Sequence, residues 1–366
     1  NGTLAAHVLG GASFGAEGVD SAEVIGTAGI EKAMDQRLRD PANSGTPLQL
    51  SLDLTVQATV EEVLAAGFGM MNAKGGAAIL MDVKTGEVVA LAAGPTFDPN
   101  DRPNNPTSGD PSDSVLFNRA IQGIYELGST FKIFAAAQAI ELGLLNPETL
   151  VDANAPMRYG KFTIKEFENH NYGPMLSVSD IIAKSSNVGT AHIAMMIGGE
   201  RQQTFLKSLG LFDASPLELI EAKGAKPLRP TRWPEIVTIT AAYGHGVSGS
   251  PMNLATAYAS IANGGIKVTP TLIKRTSPMQ GERILSEKTA LQSVAMMGRV
   301  VTEGTASLAD VPGYAVAGKT GTADKTKRGG GYYDDKVINT FASVFPANDP
   351  KYVLVVTLDE PVETSG

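Results

Sequence analysis

The chain of 366 residues contains no cysteine. Disulfides, thiolate metal sites and a cysteine nucleophile are therefore excluded. Histidine is scarce: only His7, His170, His192 and His245 occur, and no two stand at ligand spacing, which argues against a histidine-based metal site. Charged residues make up 19%, with 30 Lys+Arg against 38 Asp+Glu and a formal net charge of -8. That acidic balance argues against nucleic acid as a partner, since a binder of nucleic acid shows a basic face. No apolar run approaches the roughly 18 residues of a membrane helix. The longest, 133–140 and 191–197, read as buried helices. No secretory signal is present, and the start Asn1-Gly2-Thr3 reads as part of a longer protein.

What is present is ordinary for a globular chain, with 43% apolar residues and no internal repeat. The length suits about two domains, or one large domain with an appendage. Residues 1–48 are loose and glycine-rich (Gly10, Gly11, Gly15, Gly18), with one expected helix over 30–38. The run Asp40-Pro41-Ala42-Asn43-Ser44-Gly45-Thr46-Pro47 is a linker signal, so a boundary falls near 48 and a main domain spans 49–366. Ser51-Leu52-Asp53 reads as a helix cap before an amphipathic run to about Ala66. Residues 76–93 read as a β-hairpin turning at Lys84-Thr85-Gly86, and 95–112 as a loop. A helical region follows, with glycine-marked ends near Gly143, Gly198 and Gly264, and strands are expected at 337–345 and 352–358. Strands at both ends with helices between imply one sheet assembled from distant segments, an α/β (α+β) domain.

Three short motifs could carry chemistry. In Ser129-Thr130-Phe131-Lys132 the serine and lysine share one helix face, and the apolar run after them marks a buried helix. A serine hydroxyl needs an adjacent base, and a lysine buried there has its pKa pushed down far enough to serve. Ser-x-x-Lys is common by chance, although Lys132 is the only lysine here with a serine three positions before it. Ser185-Ser186-Asn187 falls between a short capped helix, 177–184, and a second helical run. Its hydroxyls and amide suit proton relay, and equally suit plain helix capping. Lys319-Thr320-Gly321-Thr322 follows the strand-like Tyr314-Ala315-Val316-Ala317. The glycine allows close approach of a ligand, and the lysine and hydroxyls could hold a carboxylate; a β-turn is the bland alternative.

Two further pattern matches fail on context. Residues 313–320 match the phosphate-loop pattern, but the glycine-rich sequence after Lys319 cannot open a helix, as that loop requires. Gly244-His245-Gly246-Val247-Ser248-Gly249 fits a dinucleotide fingerprint, but no acid occurs from 236 through 281. His245 then reads as a structural loop residue. Lys325-Thr326-Lys327-Arg328 reads as a solvated basic loop that could also gate a cleft.

Together, in the order Ser-x-x-Lys, Ser-x-Asn, Lys-Thr-Gly, the three motifs form the set of the active-serine penicillin-recognising enzymes. Asn118-Arg119-Ala120, Tyr125-Glu126-Leu127-Gly128, Glu303-Gly304-Thr305-Ala306, Gly29-Ile30-Glu31-Lys32 and the 50–57 stretch extend the match; Leu127 departs from it, proline being commoner there. The chain resembles a class B penicillin-binding protein, a peptidoglycan D,D-transpeptidase. Tyr243-Gly244-His245-Gly246 and Asp359-Glu360-Pro361 are more similar to the septal than to the elongation branch. The resemblance implies a central antiparallel sheet flanked by helices, with a helical subdomain beside it. It implies a chain that keeps only the last part of a pedestal domain (1–48) and stops short of the final helix. Further implications are a missing membrane anchor, a place on the periplasmic face of the inner membrane, and divisome membrane proteins, including the lipid II polymerase, as partners. Ser129 is expected to attack a stem-peptide carbonyl, with Lys132 as base and backbone N–H groups of Ser129 and Thr322 holding the oxyanion. Ser185, bridging Lys132 and Lys319, would pass a proton to the departing D-Ala amine. Asn187 would bind the peptide and help position Lys132, and Lys319, Thr320, Gly321 and Thr322 would grip the terminal carboxylate. β-Lactams would acylate Ser129, and no cofactor or metal is expected. The same motifs leave a β-lactamase or a non-enzymatic penicillin sensor open, although no Glu-x-x-x-Asn base motif is found between the second and third motifs.

Overall fold

The computed structural model describes residues 2–15, 24–327 and 329–362. Asn1, Gly18 and Arg328, named above, lie outside them. Helix α1 (Leu54–Met70) starts where the Asp53 carboxylate accepts from the Thr55 and Val56 N–H groups, a cap worth about 1 kcal/mol. It runs four residues beyond the expected Ala66. Strands β1 (Gly75–Asp82) and β2 (Val88–Gly94) form the expected hairpin. Asp82 closes its turn by accepting from the N–H groups of Lys84 and Thr85, both at 2.8 Å, and Gly86 supplies a φ of +70°.

The helical region contains α2 (Lys132–Glu141), α3 (Val178–Lys184), α4 (Asn187–Ile197), α5 (Glu235–Ala242), α6 (Pro251–Ala262) and α7 (Glu287–Thr302). The glycine marks hold: Gly143, Gly198 and Gly264 follow α2, α4 and α6 with φ of +68°, +82° and +67°. Strands β3 (Ala317–Thr326), β4 (Tyr332–Phe345) and β5 (Tyr352–Asp359) return the chain to the hairpin. The sheet order is β2-β1-β5-β4-β3, antiparallel throughout. The sheet joins the two ends of the chain, as expected.

Strand alternation sets the two faces. Ala77, Ile79 and Met81 of β1, with Val353 and Val355 of β5, enter the main core. Ala78 and Ala92 point the other way, under Leu64, Val60 and Phe68 of α1. Helix α6 backs the main face and is buried along its whole length, which is why its sequence is apolar or small all round. Its cap is a reciprocal Ser250–Asn253 box. The N-terminal segment packs on this body: Ala5 N–H donates to Glu61 at 2.8 Å, and Gly29 N–H to Glu221 at 3.0 Å.

Three local expectations differ from the structure. The helix expected over 30–38 is two short helices, Gly29–Ala33 and Asp35–Arg39, broken at Met34 with φ of −108° and ψ of 12°. Tyr314, Ala315 and Val316 precede the strand instead of belonging to it, because β4 offers β3 its last partner at Ala317. Lys325 and Thr326 are still inside β3, and the Lys325 ammonium is paired with Asp359 at 2.6 Å and Glu360 at 2.7 Å, so it is no solvated loop residue.

Candidate active site

Ser129 sits in a tight turn, Gly128–Phe131, that feeds directly into α2, and Lys132 is the first residue of that helix. The turn is pinned from both sides. Thr130 donates its hydroxyl to Leu127 O at 2.8 Å, and the buried Tyr258 hydroxyl of α6 donates to Thr130 O at 2.7 Å. Gly128 has a φ of +55°, and a Cβ there would overlap the Thr322 carbonyl. A Cβ on Gly321 would overlap Leu127 O, and one on Gly244 would overlap Gly128 O. Three distant segments therefore meet backbone to backbone, with Ser129 in the turn and Thr322 in β3 each next to a point of contact. Leu127 has φ of −102° and ψ of 6° and is fully buried, so an aliphatic residue fills the place of the commoner proline without disturbing the turn.

Lys132 is 1% exposed and Lys319 fully buried. Their side-chain nitrogens converge on one hydroxyl: Ser185 Oγ accepts from Lys132 Nζ at 3.0 Å and from Lys319 Nζ at 2.9 Å. Lys132 Nζ also donates to the Ser185 carbonyl, and Lys319 Nζ to Thr320 O at 3.1 Å. Ser185 reaches this point because it closes α3 in the left-handed region, with φ of 62° and ψ of 42°, a conformation costing a non-glycine residue about 1–2 kcal/mol. Burial pushes the Lys132 amine well below its usual range, and the neighbouring Lys319 cation lowers it further; Glu166 opposes them. Burial pulls Lys319 down to about 7.

Ser186 caps α4, accepting from Gly189 N–H at 3.0 Å. Asn187 Nδ2 donates to Lys165 O at 2.8 Å, and among the described residues no hydrogen bond joins Asn187 to Lys132. Holding Lys132 falls to Ser185 instead. Glu166, which the sequence did not single out, is buried at the start of α4 and accepts from Ser186 Oγ and Asn187 N, both at 2.6 Å. A carboxylate there complements the helix dipole and fixes the Ser-x-Asn junction. Thr320 faces outward and shares a 2.8 Å hydrogen bond with Thr305.

Ser129, Ser185, Asn187, Thr320, Gly321 and Thr322 line one cleft of about 250 Å³. His245, His170, Tyr172, Phe167, Lys184 and Thr305 complete its walls. Lys132 and Lys319 lie beneath the floor. Among the described residues no cluster of histidine and carboxylate side chains could hold a metal ion. Gly318, Lys319 and Thr320 are mid-strand, so no helix N-terminus faces the phosphate-loop match.

A second buried network ties this region to the sheet. Arg119 Nε donates to Asp359 Oδ2 at 3.1 Å with both side chains 1% exposed, and Tyr125 OH donates to the same oxygen at 3.2 Å. Lys325 and Lys336 carry the network outward through Glu360. It locks the end of β5 to the segment that leads into the Ser129 turn.

The sheet, the buried helix behind it and the serine–lysine turn at its edge define an active-serine architecture. The description "Penicillin binding protein transpeptidase domain" matches residues 76–366. The chain belongs to the penicillin-binding protein transpeptidase family, and within it to the class B, penicillin-binding protein 3 type. It is 34% identical over 375 residues to the probable peptidoglycan D,D-transpeptidase FtsI of Caulobacter vibrioides, covering 98% of this chain and 60% of that protein. It is 29% identical over 376 residues to FtsI of Escherichia coli, covering 99% of this chain and 62% of the relative. Among solved structures, penicillin-binding protein 3 of Mycobacterium tuberculosis superposes with a TM-score of 0.85 at 31% identity, covering 99% of this chain and 83% of the other; it is known apo and with aztreonam. The chain spans about 60% of the length of the curated relatives it matches.

Proposed function

We propose that this chain is the transpeptidase part of a septal peptidoglycan D,D-transpeptidase. The observation that carries this reading is the pair of buried lysines sharing the Ser185 hydroxyl beneath the Ser129 turn. Ser129 Oγ attacks the carbonyl between the two terminal D-Ala residues of a stem peptide, and the neutral Lys132 amine takes its proton. Ser185 passes a proton from the lysine pair to the departing D-Ala amine. The abutting backbones of Ser129 and Thr322 supply the oxyanion donors, each worth about 2.7–4 kcal/mol by analogy with other acyl-transfer sites. Lys319, Thr320, Gly321 and Thr322 receive the terminal carboxylate, and Asn187 lies at the cleft wall to contact the peptide.

Lys319 gives the site a specific electrostatic logic. Burial lowers its pKa to about 7, and the charge it carries is, after burial, the second cause that holds the Lys132 amine down. An arriving carboxylate favours the charged form of Lys319 and so sustains the field that keeps Lys132 neutral.

The same reading takes β-lactams as covalent inhibitors of Ser129. It takes residues 1–48 as the end of a preceding pedestal domain and 49–366 as the transpeptidase domain; the family match from residue 76 supports the second part. It places the protein on the periplasmic face of the bacterial inner membrane, working with divisome membrane proteins that include the lipid II polymerase. Similarity to proteins named FtsI supports the septal role. Intact-mass measurement after exposure to a fluorescent penicillin tests the core claim. One adduct is expected, mapped to Ser129 and absent in Ser129→Ala; an adduct that survives in the variant refutes the assignment.

A further inference from the structure

Acyl transfer to an amine needs a base for the proton that the amine sheds. Lys132, Ser185 and Lys319 form one proton system joined at the Ser185 hydroxyl, which the proposed acylation uses for Ser129 and the leaving group. A second polar pair borders the same cleft. His245 lines it, and its side chain is 34% exposed. Behind it lies Glu126, three residues before Ser129 and 5% exposed. Glu126 Oε1 is satisfied by Gly246 N–H at 2.9 Å and the Tyr332 hydroxyl at 3.0 Å. Its Oε2 is buried without a hydrogen-bond partner and faces His245 Nδ1 at 3.3 Å. An orphaned buried carboxylate oxygen is costly, and a small turn of the imidazole satisfies it.

That contact has a chemical consequence. A carboxylate beside Nδ1 selects the tautomer with the proton on Nδ1 and leaves Nε2 as a free base. The position is fixed as well: Gly244 packs its α-carbon on the Gly128 carbonyl, so the residue after Gly244 is anchored to the residue before Ser129. Hydrogen bonds of this kind are commonly long in empty sites and tighten when substrate is bound.

We propose that Glu126 and His245 form a dyad in which His245 is the base for the acceptor amine, a further catalytic residue of the proposed transpeptidation on which this inference rests. The amine nitrogen attacks the ester carbonyl of the Ser129 acyl-enzyme. A C–N bond forms, the C–Oγ bond breaks, and the amine proton passes to His245 Nε2. Ser129 Oγ takes its proton back from the lysine pair, which is recharged through solvent by the proton that His245 releases. The groups facing His245 are Glu126 behind it, the Tyr243 ring 5.4 Å away, and Tyr332, which touches Glu126 and has Asp324 near it. Lys184, His170 and Tyr172 line the same cleft. Among these, Glu126 is the group that contacts the imidazole nitrogen.

The test compares two steps in one protein, using a fluorescent penicillin for acylation and an N-acyl-D-alanyl thioester with D-alanine as acceptor for transfer. For His245→Gln, aminolysis falls about 100-fold or more relative to penicillin acylation, the usual worth of a general base. The pH profile of aminolysis loses one ionisation from its rising limb. Glu126→Gln keeps an acceptor for Gly246 and Tyr332 but turns an amide N–H toward Nδ1, which forces the other tautomer. Its aminolysis falls similarly, and the double variant falls no further than either single one. Unchanged aminolysis in His245→Gln, an equal fall in acylation and aminolysis, or additive effects in the double variant overturns the dyad. A wild-type protein that reacts with neither thioester nor penicillin instead removes the transpeptidase reading, and this inference with it.

Discussion

Replacing Ser185 tests the centre of the site with two variants that separate chemistry from backbone strain. The hydroxyl accepts from the amine nitrogens of two buried lysines at 3.0 and 2.9 Å, one of which carries the charge. A hydrogen bond to a charged group contributes about 1.5–3 kcal/mol, and 1.4 kcal/mol is a factor of ten in rate. If one such contact is lost in the acylation transition state, Ser185→Ala slows acylation about 10–150-fold. Ser185→Gly loses the same hydroxyl but relieves the left-handed conformation, which is worth about 1–2 kcal/mol to a residue with a Cβ. The glycine variant therefore acylates as slowly as the alanine variant yet is the more stable of the two in urea unfolding. The assay is the second-order rate of labelling by a fluorescent penicillin at pH 7.5, quenched with denaturant and read on a gel. A Ser185→Ala rate within threefold of wild type refutes the relay. So does a difference in rate between the two variants, which would tie the effect to the backbone and not to the hydroxyl.

Other consequences follow from the same contacts. A lysine whose folded pKa lies below its unfolded value binds fewer protons folded than unfolded, so it destabilises the fold at low pH and the penalty fades as pH rises from about 7 towards 10.5. Lys319→Met is thus expected to raise the denaturation midpoint at pH 6, to gain less at pH 9, and to lose penicillin acylation at both; an equal gain at the two pH values argues against a buried cation. Asp359→Ala removes one side of a buried ion pair and leaves Arg119 uncompensated, which should cost about 3–5 kcal/mol in equilibrium unfolding. A loss below 1 kcal/mol would show that the network is solvated.

How much of this was readable from residues alone follows from the range of each interaction. Ser129 and Lys132 are linked by helical spacing, and the capping of α3 by Ser177 is likewise local, so a short window exposes them. The hairpin was legible because Asp82 and Gly86 fix its turn within five residues. Glu166 acts on α4 from 20 residues earlier in the chain, and Glu126 reaches Tyr332 across 206; no pattern of spacing announces such pairs. Lys325 looked like part of a solvated basic run because its partners, Asp359 and Glu360, come more than 30 residues later. The helix expected over 30–38 failed for the converse reason: its local propensity was adequate, but Gly26 N–H and Arg39 both bond Asp35, which starts a second helix after Met34.

If β-lactams acylate Ser129 as proposed, the meeting of Gly128, Gly244 and Gly321 bears on how the protein could escape them. These positions have no room for a Cβ, so selection has almost no vocabulary there: any change that excludes an inhibitor also pries apart the segments that hold the nucleophile. On that reading, changes that weaken an inhibitor without parting these segments fall on the walls of the cleft, at Phe167, His170 and Tyr172. An inhibitor that draws its affinity from the Ser129, Gly321 and Thr322 side of the cleft, and little from that rim, leaves the smallest target for mutation.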